Sequence, residues 1–280
     1  MSILNKLWMF QTGSIQVDRN NIEKDGKAES CHVPICCYLI LHKDAGPILI
    51  DAGFGLSMLN RLKNPFFMLI SKMMRLNYKV GMDCASRVEA CGFTPSGVKK
   101  AVLTHLHYDH TGGIMDFPEA EFWVHMDELS AGRDRPGLRG YNKSYIESDY
   151  RDAPSLVEYQ YVSGAGVGPF DSGFDLMGDG TIRLLPTPGH TPGHTSVFLT
   201  MSDGSQFLIV GDTVFTEPQI TKGVGLGKMP LKFTRDAEEN SISMEKIRQL
   251  YQTTPSLKLL LTHDPEQGEM CVDGPVCLYG

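Results

Sequence analysis

The sequence predicts a mixed α/β protein in which two packed sheets carry helices on their outer faces. Short apolar runs of strand length recur in both halves of the chain, helical patterns punctuate them, and chemically distinctive side chains sit just past the run ends. One site drawing residues from both halves fits a single layered unit, so the 280 residues are expected to form one domain.

In the first half, strands are expected near residues 35–41, 48–51, 98–104 and 121–125, with a helix over about 83–91. The second half carries expected strands near 181–185, 196–200, 206–210 and 257–262, and a helix from about 236 to 251. Two segments fall outside this plan and read as insertions within the domain. Residues 54–82 are rich in Met, Phe and Leu. A helix after Pro65, apolar on most faces, would pack against the body, cover a cleft or join a second copy as a homodimer. Residues 132–168 mix charge, tyrosine and glycine and read as a surface excursion able to wall a cleft. The glycine-containing stretch 223–228 fits neither nucleotide-binding fingerprint, and is expected to be a flexible active-site loop.

A hydrophobic content of 41% in a chain of this length is enough for a large core. The net charge of −7 argues against a basic surface for nucleic acid. Residues 1–10 lack the layout of a secretory signal, and no apolar run reaches membrane-spanning length, so a cytoplasmic protein without a membrane partner is expected. Seven cysteines is an odd number, and Cys36 and Cys37 fall in an expected core strand, so all seven are read as reduced.

The run Thr104-His105-Leu106-His107-Tyr108-Asp109-His110 packs three imidazoles and a carboxylate into six residues behind an apolar stretch. Imidazole nitrogen and carboxylate oxygen are the ligands that borderline divalent metals accept, which points to a metal site. If the strand at Ala101-Val102-Leu103 continues into His105, residues two apart share a side, so His105 and His107 converge. Asp109 and His110 then fall after the turn, near Gly112-Gly113, and face a second point, so two metals fit better than one. Partners are expected at other run ends: His190 in Thr187-Pro188-Gly189-His190, Asp212 after Phe207-Leu208-Ile209-Val210-Gly211, and His263 after Leu259-Leu260-Leu261-Thr262.

These seven positions resemble the metallo-β-lactamase superfamily, whose hallmark is His-x-His-x-Asp-His followed by a distant His, Asp and His. The resemblance implies an αββα sandwich. It also implies one metal on His105, His107 and His190, a second on Asp109, His110 and His263, and Asp212 bridging the two. Asp51, in Ile48-Leu49-Ile50-Asp51-Ala52-Gly53, matches an aspartate that orients a ligand imidazole through its other nitrogen. His194 follows a Pro-Gly turn beside His190, where support of a ligand or turn packing both fit. Such a centre suits two zinc ions, with iron, cobalt or manganese sharing the same ligand preferences. A hydroxide bridging the metals would be the nucleophile, with Asp212 as the bridge and Asp109 able to accept and return a proton.

Phrases around the ligands narrow the branch. Val33-Pro34-Ile35-Cys36-Cys37-Tyr38-Leu39-Ile40, the double Thr-Pro-Gly-His over 187–194 and Thr262-His263-Asp264-Pro265-Glu266-Gln267 are similar to the N-acyl homoserine lactonases. The resemblance implies opening of an acyl lactone ring, a small-molecule substrate whose acyl chain would lie on Phe66, Phe67 and Met68. The alternatives are a thioesterase or broad esterase of the glyoxalase II type, a phosphodiesterase, and a non-catalytic binder of acyl lactones. Many of those lactonases place a tyrosine three residues after the bridging aspartate, where this chain has Phe215. A phenyl ring cannot donate a hydrogen bond, so a metal or another donor, Tyr108 or Tyr38, would have to serve the lactone oxygen.

Overall fold

Strands with apolar side chains on both faces need cover on both faces. The computed structural model, which describes residues 3–133 and 144–280, supplies it with two sheets face to face and helices outside them. The first sheet contains β1 (Leu4–Asp18), β2 (Ser30–His42), β3 (Gly46–Ile50), β4 (Leu76–Asn77), β5 (Lys100–Val102), β6 (Glu121–His125) and β7 (Leu156–Tyr159). The second contains β8 (Val162–Ser163), β9 (Ser172–Asp175), β10 (Ile182–Pro186), β11 (Thr195–Thr200), β12 (Gln206–Ile209) and β13 (Lys258–Leu260); β14 (Val276–Tyr279) returns to the first. The strand orders are β14-β1-β2-β3-β5-β6-β7, with β4 on β1, and β13-β12-β11-β10-β9-β8.

Alternation along the strands divides most of the apolar side chains among three large cores, with a smaller cluster at Ile35, Phe54 and Met58. Tyr38, Ile40, Ile48 and Ile50 of the first sheet meet Leu184, Val197, Leu199 and Ile209 of the second. Cys37, Leu39, Leu49 and Ala101 face outward beneath α3 (Cys84–Ala90) and α5 (Met126–Arg133), where Val88 and Leu129 cover them. Phe198 and Leu208 face outward beneath α9 (Ala237–Thr253), against Met244, Ile247 and Leu250. The layers are therefore αββα, as the sequence predicts.

Strand direction positions the site. β3, β5 and β6 run parallel, so β3 and β5 end at one edge. β10 and β12 are each antiparallel to β11 and therefore run the same way, and β13 is parallel to β12. The segments after β5, β10, β12 and β13 carry the candidate ligands, and the one after β3 carries Asp51.

Both expected body helices form where their capping residues allow. The Asp83 carboxylate accepts from Ser86 N–H, and the Asp236 carboxylate accepts from Glu238 and Glu239 N–H. The expected strand 98–104 is shorter, because the Thr104 N–H turns to Asp51 Oδ1 at 2.8 Å and leaves the ladder. The 15-residue β1 was not anticipated: Gln11-Thr12-Gly13-Ser14 breaks its apolar pattern where the register with β2 shifts.

Two further expectations need correction. Part of the predicted surface excursion, residues 134–143, lies outside the described residues; beyond it the chain is partly built into the body, while most of 151–168 keeps some exposure and Ser144 lines a cavity. α6 (Glu147–Tyr150) and β7 follow, with Tyr145, Tyr150 and Tyr159 buried. The expected flexible loop 223–228 is pinned, since Lys24 N–H donates to the Gly225 carbonyl at 2.8 Å and Gly227 N–H to the Ile22 carbonyl at 2.9 Å. The segment 54–82 forms α1 (Ser57–Arg61) and α2 (Pro65–Met73), whose Leu69 and Met73 are exposed. Among the described residues, no helix is long and apolar enough to cross a membrane.

The packing makes a stability prediction. Leu184→Ala, between the sheets, is expected to cost about 2–5 kcal/mol, whereas Leu69→Ala on α2 should stay within about 0.5 kcal/mol. Urea unfolding followed by circular dichroism reads both, and equal midpoints would contradict the placement of the core.

Candidate metal centre

Five strand ends deliver the polar side chains to one place. After β3, Asp51 adopts a left-handed backbone at φ +59°, a conformation that costs a non-glycine residue strain unless its surroundings hold it. Its Oδ1 accepts from Thr104 N–H and its Oδ2 from Thr104 Oγ1–H, both at 2.8 Å, and Oδ2 also lies 2.8 Å from His110 Nδ1. Residues 103–106 therefore leave β5 as an irregular segment. His105 and His107 converge with ring centroids 4.6 Å apart, though not by continuing a strand as the sequence suggests. Asp109 and His110 occupy α4 (Tyr108–Thr111).

After β10, the N-terminus of α9 clamps the turn that holds His190. Arg235 N–H donates to the His190 carbonyl at 3.0 Å, and Asp236 N–H to the Gly189 carbonyl at 2.9 Å. Gly189 has φ +128°, and a Cβ there would lie 2.1 Å from the Asn240 nitrogen, so only glycine fits. His194 acts on the backbone of Asp212: its Nε2 accepts from Asp212 N–H at 2.9 Å, while Nδ1 lies 2.9 Å from Thr187 Oγ1 and 3.1 Å from Thr213 Oγ1. Burial pushes His194 down to about 3, which keeps it neutral and able to accept that bond.

Asp212 is the point of convergence. Its Oδ2 lies 3.3 Å from His190 Nε2 and 3.8 Å from His105 Nε2. Its Oδ1 lies 3.1 Å from both His110 Nε2 and His263 Nε2, and Asp109 Oδ2 is 3.7 Å from His263 Nε2. Donor atoms of His105, His107, His190 and Asp212 form one group, and those of Asp109, His110 and His263 a second, each within 4.8 Å of one another.

The donor chemistry asks for cations between these groups. His263 Nδ1 is 2.7 Å from the Pro34 carbonyl, which only accepts, so the proton is on Nδ1. The Asp51 contact fixes His110 in the same way. In neutral rings both Nε2 lone pairs then face the lone pairs of Asp212 Oδ1, an arrangement that repels unless positive charge lies between. The buried His105 Nε2 and Asp212 Oδ1 make no hydrogen bond that would relieve it. The same demand appears in the acid–base balance. Burial opposes a charged imidazole, yet Asp212 outweighs it and raises His110 well above, and His263 above, the ordinary histidine value. Burial lowers His105 and His107 well below that value and His190 to about 4. Burial also raises Asp109, whereas Asp212 is held well below the usual carboxylate range, burial opposing and His263, His110, His190 and His105 outweighing it. The residues present fit two divalent ions.

A cavity opens beside Asp109, with Tyr108, Ser144 and Phe215 also on its wall. Phe215 stacks on His263 at 4.9 Å, and Tyr108 on Phe54 at 6.0 Å. The apolar lining differs from the expected one. It comes from Ile15, Val33, Ile35, Met74, Met229 and Phe233, and Phe67 and Met68 are not among the lining residues. They lie on α2 at 39% and 42% exposure, and the Phe66 side chain lies outside the described residues. Tyr38 is fully buried between the sheets and is not part of the cavity wall, so it is no candidate donor. Met229 and Phe233 sit four apart on α8 (Lys228–Phe233), so helical spacing brings both to the cavity just after the glycine-containing stretch.

The sequence profile of the Metallo-beta-lactamase superfamily matches residues 33–254. Similar proteins include the N-acyl homoserine lactonase AttM of Agrobacterium fabrum, 31% identical over 212 residues that cover 75% of this chain and 77% of the relative. A probable metallo-hydrolase of Mycobacterium tuberculosis is 30% identical over 256 residues, 89% of this chain and 76% of the relative. Among solved structures, an N-acyl homoserine lactone hydrolase with its product N-hexanoyl-L-homoserine at the catalytic metal centre superposes with a TM-score of 0.74 at 20% identity, covering 96% of each chain. The dizinc quorum-quenching lactonase AidC superposes with a TM-score of 0.66 at 16% identity, covering 100% of this chain and 98% of its own. At these identities the two structures share the fold.

Gly189→Ala tests how the His190 turn is held. The added methyl and the strained φ are expected to cost about 1–3 kcal/mol, and metal content by atomic emission should fall by at least half. Unchanged metal content with unchanged stability would contradict the packing described.

Proposed function

Because this chain belongs to the metallo-beta-lactamase superfamily, we propose that it is a dinuclear-metal hydrolase that opens the lactone ring of N-acyl homoserine lactones. The observation that carries the dinuclear reading is the single buried carboxylate of Asp212 presenting one oxygen to each of two donor groups. In this reading His105, His107 and His190 hold one ion, Asp109, His110 and His263 the other, and Asp212 bridges them. Zinc is the proposed metal, since imidazole and carboxylate suit it, and iron, cobalt and manganese are the competitors. When bound, two such ions supply a nucleophile from water at neutral pH and polarise a carbonyl.

The chain's own residues do the rest. Asp51, His194 and the Pro34 carbonyl set the orientation of the ligands. Asp109, about a fifth exposed beside the cavity, is placed to take the proton released by the nucleophilic water at Oδ1, the oxygen not turned to His263, and return it to the leaving alkoxide. Phe215 contributes a flat apolar wall and no side-chain hydrogen bond, and among the described lining residues Tyr108 is the tyrosine able to donate one. The acyl chain is proposed to lie against Ile15, Met74, Met229 and Phe233. The exposed apolar face of α2, with Leu69 and Met73, supports a homodimer, which light scattering would detect.

Acid release by metal-loaded protein should be fast with N-acyl homoserine lactones, and slower with a plain γ-lactone, an acyl-thioester and a phosphodiester. Loss of release on chelation and its return with zinc complete the expectation. Turnover of the thioester or the phosphodiester alone would overturn the substrate assignment, and metal binding without any turnover would overturn catalysis. Tyr108→Phe is expected to lower kcat roughly a hundredfold if its hydroxyl serves the developing oxyanion. An unchanged kcat would remove it from that role.

A further inference from the structure

Glu128 is a carboxylate with no surface exposure, carried on α5 outside the donor groups described above. Burying a carboxylate costs several kcal/mol unless other groups compensate it. Among the described residues no ion pair involves it, so its compensation comes from hydrogen bonds. Oε1 accepts from Leu106 N–H at 2.9 Å and from the Tyr145 hydroxyl at 2.9 Å, and Oε2 accepts from Gly193 N–H at 3.1 Å. Leu106 is the residue between His105 and His107. Gly193 lies in the turn between His190 and His194, and a Cβ there would sit 2.2 Å from the Glu128 nitrogen, so turn and helix meet backbone to backbone. Tyr145, held by the same carboxylate, places its ring edge-on to His107 with centroids 5.0 Å apart.

One buried anion thus ties together two chain segments that are more than eighty residues apart in sequence, and each bears ligands of the same half of the centre. The other half is held differently: His110 by Asp51 and His263 by the Pro34 carbonyl. We propose that Glu128 is a positioning residue that fixes the His105–His107 segment against the His190 turn and so selectively sets metal affinity in that half of the centre. The inference rests on the dinuclear reading above. Only a carboxylate meets the need, because both oxygens face N–H donors. A glutamine of the same shape would turn its own NH2 against one of those N–H groups.

The test is a titration of metal-free wild-type and Glu128→Gln protein with Zn²⁺ against a chromophoric chelator. The d–d spectrum of the Co²⁺ forms and circular dichroism of the metal-free proteins accompany it. Wild type is expected to bind two ions; Glu128→Gln should keep one at wild-type affinity and bind the other about 10–100-fold more weakly, with the Co²⁺ spectrum of that site altered. If wild type does not bind two ions, the dinuclear reading fails and takes this inference with it. If wild type binds two and Glu128→Gln matches it, or weakens both equally, the inference alone is overturned. Should Glu128→Gln not fold, Tyr145→Phe decides: it removes one donor to the same carboxylate and should weaken the same single site several-fold, and unchanged affinity overturns the proposal.

Discussion

The structure depends on a buried carboxylate that faces imidazoles on both sides. Asp212 is 3% exposed, and its two oxygens point into two separate donor groups. A negative charge there is tolerable only with positive charge close by, and the neighbouring rings are turned so that lone pairs face it. Asp51 and the Pro34 carbonyl occupy the far nitrogens of His110 and His263, while His194 holds the backbone of Asp212 itself. Asp51 and the Pro34 carbonyl thereby keep the Nε2 lone pairs of His110 and His263 aimed at that carboxylate.

The layered architecture makes such convergence affordable in strain. Parallel β3 and β5 in one sheet, and β10, β12 and β13 running alike in the other, end at the site. Each ligand segment is thus a short departure from a rigid strand buried on both faces, and small supports suffice to aim it. The supports are of different kinds: a left-handed Asp51, a glycine that lets α9 clamp the His190 turn, and a buried Glu128 between two segments. In the proposed function the reaction class rests on the centre and the substrate on the cavity wall. That wall is assembled from β1, β2, α8 and the segment after α2.

What could be read from the sequence follows the range of the interactions. The seven His and Asp positions stand out because metal-type ligands cluster locally or follow apolar runs, and the structure brings those seven together. Body strands were legible from continuous apolar runs, and two helices from the patterns over 83–91 and 236–251, whose caps Asp83 and Asp236 the structure supplies. β1 was not, because its pattern is broken at the bulge and its partners β2 and β14 lie elsewhere in the chain. The cavity wall escaped for the same reason: Ile15 and Phe233 become neighbours of the site only through tertiary packing, while the conspicuous Phe67 and Met68 stay on an exposed helix. Glu128, beside Asp127 in a polar helix, carries no local sign that it is buried.

Everything proposed for the centre requires that one carboxylate be shared by two metal ions. Anomalous diffraction from crystals of the zinc-loaded protein tests it most directly. Two anomalous peaks of comparable height are expected, one beside His105, His107 and His190 and the other beside Asp109, His110 and His263, with a different oxygen of Asp212 on each. A single peak at full occupancy, or two peaks with Asp212 bound to only one, would contradict it.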